Sequence, residues 1–323
     1  VTRYPDDLAS YPFPLPHSTY RISANVEPAG VTRPTEAGSW GSTILHVPGS
    51  GAGYEDVARQ RAAILDREPA RFVAAPHSRA ACWDALLHLT GRLATEQPDT
   101  CSLVRDGDRY RFRNTRLRID QEFVLGDAST LPEHPLRFAS RQLTEDVVVL
   151  GAREGRLWLD AGAVAAASVW SIGFDAGMSF RELHGPVPGN GPGGVFERAE
   201  GFLLRLQPGE AYRRLNWGLQ PDDRLDLSLD AAPSWAPARR PLRITDPGRE
   251  IHLRTEVQHL IRLPLTGSVL FLIGIRLLAL SRLERVPAWR ERLVSVLETL
   301  PPEVSDYKGL GPIAALTLAH LRR

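Results

Sequence analysis

IHLRTEVQHLIRLP, Ile251–Pro264, alternates as a β-strand does. Its odd positions are Ile251, Leu253, Thr255, Val257, His259, Ile261 and Leu263, and all but Thr255 and His259 are apolar. Its even positions include His252, Arg254, Glu256, Gln258 and Arg262, which strand geometry places together on the other face. SVLFLIGIRLLAL, Ser268–Leu280, follows and is apolar on both faces, the pattern of a strand with neighbours on either side. Its apolar run, Leu263–Ile275, is closed by Arg262 and Arg276 and is too short to span a bilayer.

Upstream, AYRRLNWGL (Ala211–Leu219) reads as a third strand. EDVVVLGA (Glu145–Ala152) and GRLWLDAGAVAAASVW (Gly155–Trp170) read as two more, around a Glu154-Gly155 turn. Between the two groups lie a short helix, GMSFRELH, and a second helix, GGVFERAEGFLLRL. The order strand, strand, helices, strand, strand, strand predicts an α+β fold on an antiparallel sheet. Helical spacing also marks segments from Tyr54 and Ser78 and VPAWRERLVSVLETL near the end. Asp106-Gly107 predicts a hairpin, STILHV (Ser42–Val47) a strand, and YPFPLPHSTYRI an irregular surface segment. The expected organisation is an N-terminal extension over 1–141, a core over 142–285 and a C-terminal helical segment over 286–323.

Composition narrows the function. With 39 Lys+Arg against 38 Asp+Glu the chain lacks the basic excess of a nucleic-acid binder. Cys82 and Cys101 are too few for a four-thiolate cluster. No apolar signal core opens the chain, so a cytoplasmic protein is expected. Lys308 is the only lysine.

Several glycine and serine motifs lead nowhere. Gly189, Gly191 and Gly194 satisfy G-x-G-x-x-G, but Pro186 and Pro188 stand before them where a strand is required. PGSGAG, from Pro48, lacks a P-loop lysine. There is no G-x-S-x-G elbow and no paired-histidine zinc pattern. Two features stay open. The even face of Ile251–Leu263 is either solvated or the polar wall of a pocket, joined by Arg214 and Asn216, with Leu215 and Trp217 on the opposite face. His184, in FRELHGPVPGN, either complements a helix dipole or is a metal ligand held by a proline-rich turn.

Here the motifs RELHGPVPG (Arg181–Gly189), RLNW (Arg214–Trp217), LRTEVQHLIRLP (Leu253–Pro264) and LPPEVSDYKGL (Leu300–Leu310) matter together. In order, with LTEDVVVL and SVW (Ser168–Trp170) before them, they resemble the haem-dependent oxidative N-demethylase alpha-subunit family over roughly Leu143–Leu310. The resemblance implies a PAS-like sheet holding haem b, with His184 as the iron ligand. It implies Glu256, Arg214 and Asn216 as catalytic residues, and Trp217, Arg254 and Gln258 beside the cofactor. The implied reaction is O2-dependent oxidation of a small amine such as dimethylamine, releasing formaldehyde. Electrons would come from NADPH through flavin and iron–sulfur partner subunits. Val257 departs from the family pattern, which has arginine there. Such a departure allows a different amine. The competing readings are a non-enzymatic haem gas sensor and a PAS-like scaffold without haem.

Overall fold

The computed structural model describes residues 6–47, 53–188, 193–232 and 243–323. The loop from Pro48 to Ala52 and the glycines Gly189 and Gly191 lie outside the described residues. Among the described residues the largest element is a seven-stranded sheet, antiparallel at every pairing. Its strands are β1 (Glu27–Pro28), β2 (Phe72–Ala74), β3 (Asp146–Arg153), β4 (Arg156–Ala163), β5 (Ala211–Pro221), β6 (Ile251–Arg262) and β7 (Val269–Ala279). They lie in the order β1-β5-β6-β7-β3-β4-β2. β7 sits between β6 and β3, as its two apolar faces predict. The β3–β4 hairpin turns on Glu154 (φ 54°) and Gly155 (φ 70°), the left-handed pair that a two-residue hairpin requires.

β6 pairs along its length with β5 and β7. Its odd face is apolar at both ends. Ile261, Leu263, Leu270 and Leu272 pack in one cluster with the helix Arg79–Glu96. Leu253 and Leu278 pack in another with Trp289 and the N-terminal Tyr11, Phe13 and Leu15. The N-terminal segment is irregular, as expected, but part of it is buried rather than superficial. Tyr11 is 4% exposed, and Phe13 stacks on Trp289 at 4.8 Å. The Tyr11 hydroxyl donates to Leu253 O (3.1 Å), which leaves it to accept from Thr255 Oγ1 (2.9 Å). Thr255, polar on an apolar face, is thereby satisfied.

STILHV is not a strand. The Ile44 and Leu45 amides donate to the Glu96 carboxylate (3.0 and 2.9 Å) and the His46 amide to Glu145 Oε1 (2.8 Å). Side-chain carboxylates thus take the place of a partner strand. The Asp106-Gly107 hairpin forms, within a separate three-stranded sheet over Cys101–Asp106, Arg109–Asn114 and Ile119–Val124. No described helix is long and apolar enough to cross a membrane.

Burial pushes the histidines His46, His88 and His259 down to about 3, 4 and 3 from an ordinary 6.5. Each is neutral in the fold and takes up a proton on unfolding below pH 6.5. The unfolded state then binds more protons, so stability falls as pH drops from about 6.5 towards 4, by about 1.4 kcal/mol per unit for each histidine. Glu96 and Glu145, raised by burial, act the other way. His134 and His184 are also lowered and Asp175 is also raised, so with five histidines against three carboxylates the urea midpoint at pH 5 is expected below that at pH 7. Equal midpoints would contradict the burial of these rings.

Candidate functional site

The helix Phe180–Leu183 lasts one turn because both ends are specified. Ser179 caps its start: Oγ accepts from Glu182 N (3.3 Å), and Glu182 Oε2 accepts from Ser179 N (2.7 Å), a reciprocal capping box. At its end the chain leaves through Gly185-Pro186, and Pro186 has no N–H with which to continue. His184 is the C-terminal residue of this turn, half-buried, with Nδ1 2.7 Å from Phe180 O. A carbonyl oxygen only accepts, so Nδ1 carries the hydrogen and the neutral ring has its lone pair on Nε2. Burial lowers the pKa to about 4, which keeps the ring neutral at pH 7. Phe180 and Phe196 flank it, with centroids at 4.2 and 4.4 Å. A neutral imidazole of fixed tautomer, held on both sides, is the form in which histidine binds a metal.

The helices Phe180–Leu183 and Val195–Arg205 pack on β4 and reach the even face of β6 at Leu260. Phe180 and Leu203 share a buried cluster there with Leu260, and Phe202 meets Tyr212 of β5 edge-on at 5.0 Å. The even face is therefore not solvated. Arg254 is 3% exposed, Glu256 8% and Gln258 6%.

Register makes these residues one network. Asn216 stands opposite Glu256 and Arg214 opposite Gln258. Glu256 Oε2 accepts from Asn216 Nδ2 (3.2 Å) and Gln258 Nε2 (2.9 Å), and Oε1 lies 3.4 Å from Arg254 Nε. Arg214 donates through NH1 to Gln258 Oε1 (3.1 Å) and through Nε to Ala24 O (2.9 Å). Arg254 reaches across to Leu225 O (2.9 Å) and Ala166 O (2.6 Å). Burial lowers the pKa of Arg214, with Glu256 opposing that shift, and the charge of Arg214 in turn disfavours protonation of His184. One guanidinium thus acts electrostatically on both the histidine and the carboxylate.

Beside this polar strip β7 presents Ile273 and Ile275, opposite Gln258 and Glu256. Trp170 and Phe271, partly buried, pack at the margins of the apolar clusters on either side. An apolar strip next to a polar one, with a neutral imidazole within electrostatic reach of Arg214, suits a flat macrocycle with a reactive centre. The donor set fits a haem, which needs one histidine. Among the described residues no three His, Cys, Asp or Glu side chains cluster as a metal cage would require.

Trp217 lies on the other face of β5, packed with Leu253 and Leu278, and meets the network through its carbonyl and through its ring, over which the Lys308 ammonium lies at 5.2 Å. Val257 also points away from Glu256, because it pairs with Leu215 and Gly274 on the opposite face. The departure from the arginine pattern therefore leaves the polar wall intact. Open clefts of about 430 Å³ near Asp222 and about 610 Å³ near Arg116 contain none of these residues.

Lys308, whose motif and uniqueness were legible, was not among the expected site residues, yet it reaches the network. Its ammonium donates to Asn216 Oδ1 (3.2 Å) and Trp217 O (2.7 Å). Residues 51–317 match the protein family described as haem-dependent oxidative N-demethylase, alpha subunit-like. The chain belongs to this family. Membership in the N-demethylase alpha-subunit-like family brings haem dependence and oxidative chemistry with it, and an alpha subunit implies a partner subunit.

Proposed function

We propose that this protein binds haem b through His184 and oxidises a small amine with O2, drawing electrons from NADPH through a flavin and iron–sulfur partner. The bound haem would supply the oxidising chemistry. The observation that carries the reading is the shared position of Arg214, whose charge acts on both His184 and Glu256. The chain order of two strands, three helices and three strands, all five strands in the large sheet, supports a PAS-like core.

The chain's own residues have distinct parts in this reading. Glu256 is the carboxylate of the network and would pair with the ammonium of the substrate. Asn216 and Gln258 hold that carboxylate in one orientation, and Arg254 anchors it from behind. Arg214 supplies positive charge where electron density gathers on oxygen. Arg254 and Gln258 would lie beside the cofactor, and the isoleucines of β7 would exclude water.

The test is an absorption spectrum of the purified protein. A Soret band is expected that moves with carbon monoxide after reduction and again when dimethylamine is added. No band after reconstitution with haemin would overturn the proposal. Gas binding with no response to amines would favour a haem sensor instead.

A further inference from the structure

We infer that Lys308 is a positioning residue, which fixes the Asn216 amide and through it the orientation of the Glu256 carboxylate. This deepens the reading above and rests on it for the role of Glu256. Lys308 arrives on a short, fully specified helix. Pro302 opens the helix Pro302–Tyr307, and Gly309 at φ 63° closes it, with Leu310 N bonded to Ser305 O at 2.9 Å. The buried Val304 and Leu310 hold the turn against the body.

β1 pairs with Tyr212 and Arg213 of β5, and among the described residues no strand pairs with that edge beyond them. Lys308 closes part of that edge by donating to Trp217 O, with its ammonium 5.2 Å from the Trp217 ring centroid. Its other bond decides an ambiguity. An ammonium has no acceptor, so the Asn216 atom facing it must be the oxygen. The Asn216 NH2 is then turned to Glu256, which when ionised only accepts. Without Lys308 the amide could rotate and the carboxylate would lose one of its two amide donors.

The charged groups facing Lys308 are Glu256 and Arg214, with Arg254 and Tyr307 beside that carboxylate. Burial and then Arg214 lower the lysine to about 8, while Glu256 supports its charge. Arginine cannot titrate in this range and its fork is wider than an ammonium. A lysine is thus distinct here in a chain that otherwise uses arginine.

Because it is the only lysine, 15N-lysine labelling gives one side-chain resonance, readable with or without haem. It is expected to titrate near pH 8 and to move lower in Glu256→Gln. A second arm follows dimethylamine affinity by calorimetry in a double-mutant cycle. Lys308→Met is expected to change affinity about fivefold when Asn216 is present and not at all in an Asn216→Leu background. Urea midpoints of Lys308→Met and Asn216→Leu close to the parent's check that any loss is not misfolding. A resonance near pH 10.5 that ignores Glu256→Gln, or additive effects in the cycle, would overturn the inference. A protein that binds no haem but shows the expected titration keeps the positioning contact and fails only the haem reading.

Discussion

His184→Ala is expected to purify with almost no haem, where the parent is expected to carry about one per chain, and to lose its Soret band. The geometry makes the effect specific. His184 ends a single helical turn whose start is held by the Ser179–Glu182 capping box, and neither capping bond involves the imidazole. Removing the ring leaves Phe180 and Phe196 in place, and the large sheet is untouched. Added imidazole is therefore expected to restore the band by occupying the vacated space between the two phenyl rings. His46 and His259 are poor substitutes, because His259 lies on the odd face of β6 and His46 on the segment bonded to Glu145. Ligation by His184 also needs no deprotonation near neutrality, since burial holds the ring at about 4. Haem content should accordingly stay level between pH 8 and pH 6. Full haem retention by His184→Ala would remove this residue as the ligand.

The five long strands β3–β7 were legible from their length and apolar patterning, whereas β1 and β2, two and three residues long, were not. The β3–β4 turn was legible because Glu154-Gly155 offers left-handed backbone where a hairpin needs it. The burial of the even face of β6 was not. Arg254, Glu256 and Gln258 look like a solvated strip, but Arg254 bonds to Leu225 O and Ala166 O and Glu256 to Asn216, partners 29, 88 and 40 residues away. STILHV fails as a strand for a related reason. Its amides are met by Glu96 and Glu145, about 50 and 100 residues away, and no local pattern announces a carboxylate partner. The N-terminal aromatics read as surface material because prolines break their periodicity, yet Tyr11 completes Thr255. Lys308 gave one signal, its singularity in an arginine-rich chain. Its contact with Asn216 depends on where the edge of β5 is left uncovered.

Asp146→Ala is expected to cost about 3–5 kcal/mol, lowering the melting temperature by roughly 10 °C. Asp146 is fully buried and lies 2.7 Å from the guanidinium of Arg61, whose side chain is 2% exposed. Without Asp146 the buried arginine keeps its hydrogen bond to the Glu145 carbonyl, at 2.5 Å, and the nearby Glu145 charge. The Asp146 carboxylate also accepts from the Ala165 and Ala166 amides, at 2.7 and 3.0 Å, and these would lose their partner. Arg61→Met is expected to cost less, because those two amides would still compensate the carboxylate. The loss should reach the site as well. The Ala166 carbonyl accepts from Arg254, and Arg254 stands behind Glu256. Asp146→Asn, which keeps an acceptor for one amide, is the milder probe. It is expected to fold and to weaken the amine response of the Soret band without removing the band. If Asp146→Ala melted within about 2 °C of the parent, water must already reach Arg61 and the ion pair would not anchor the loop that holds Arg254.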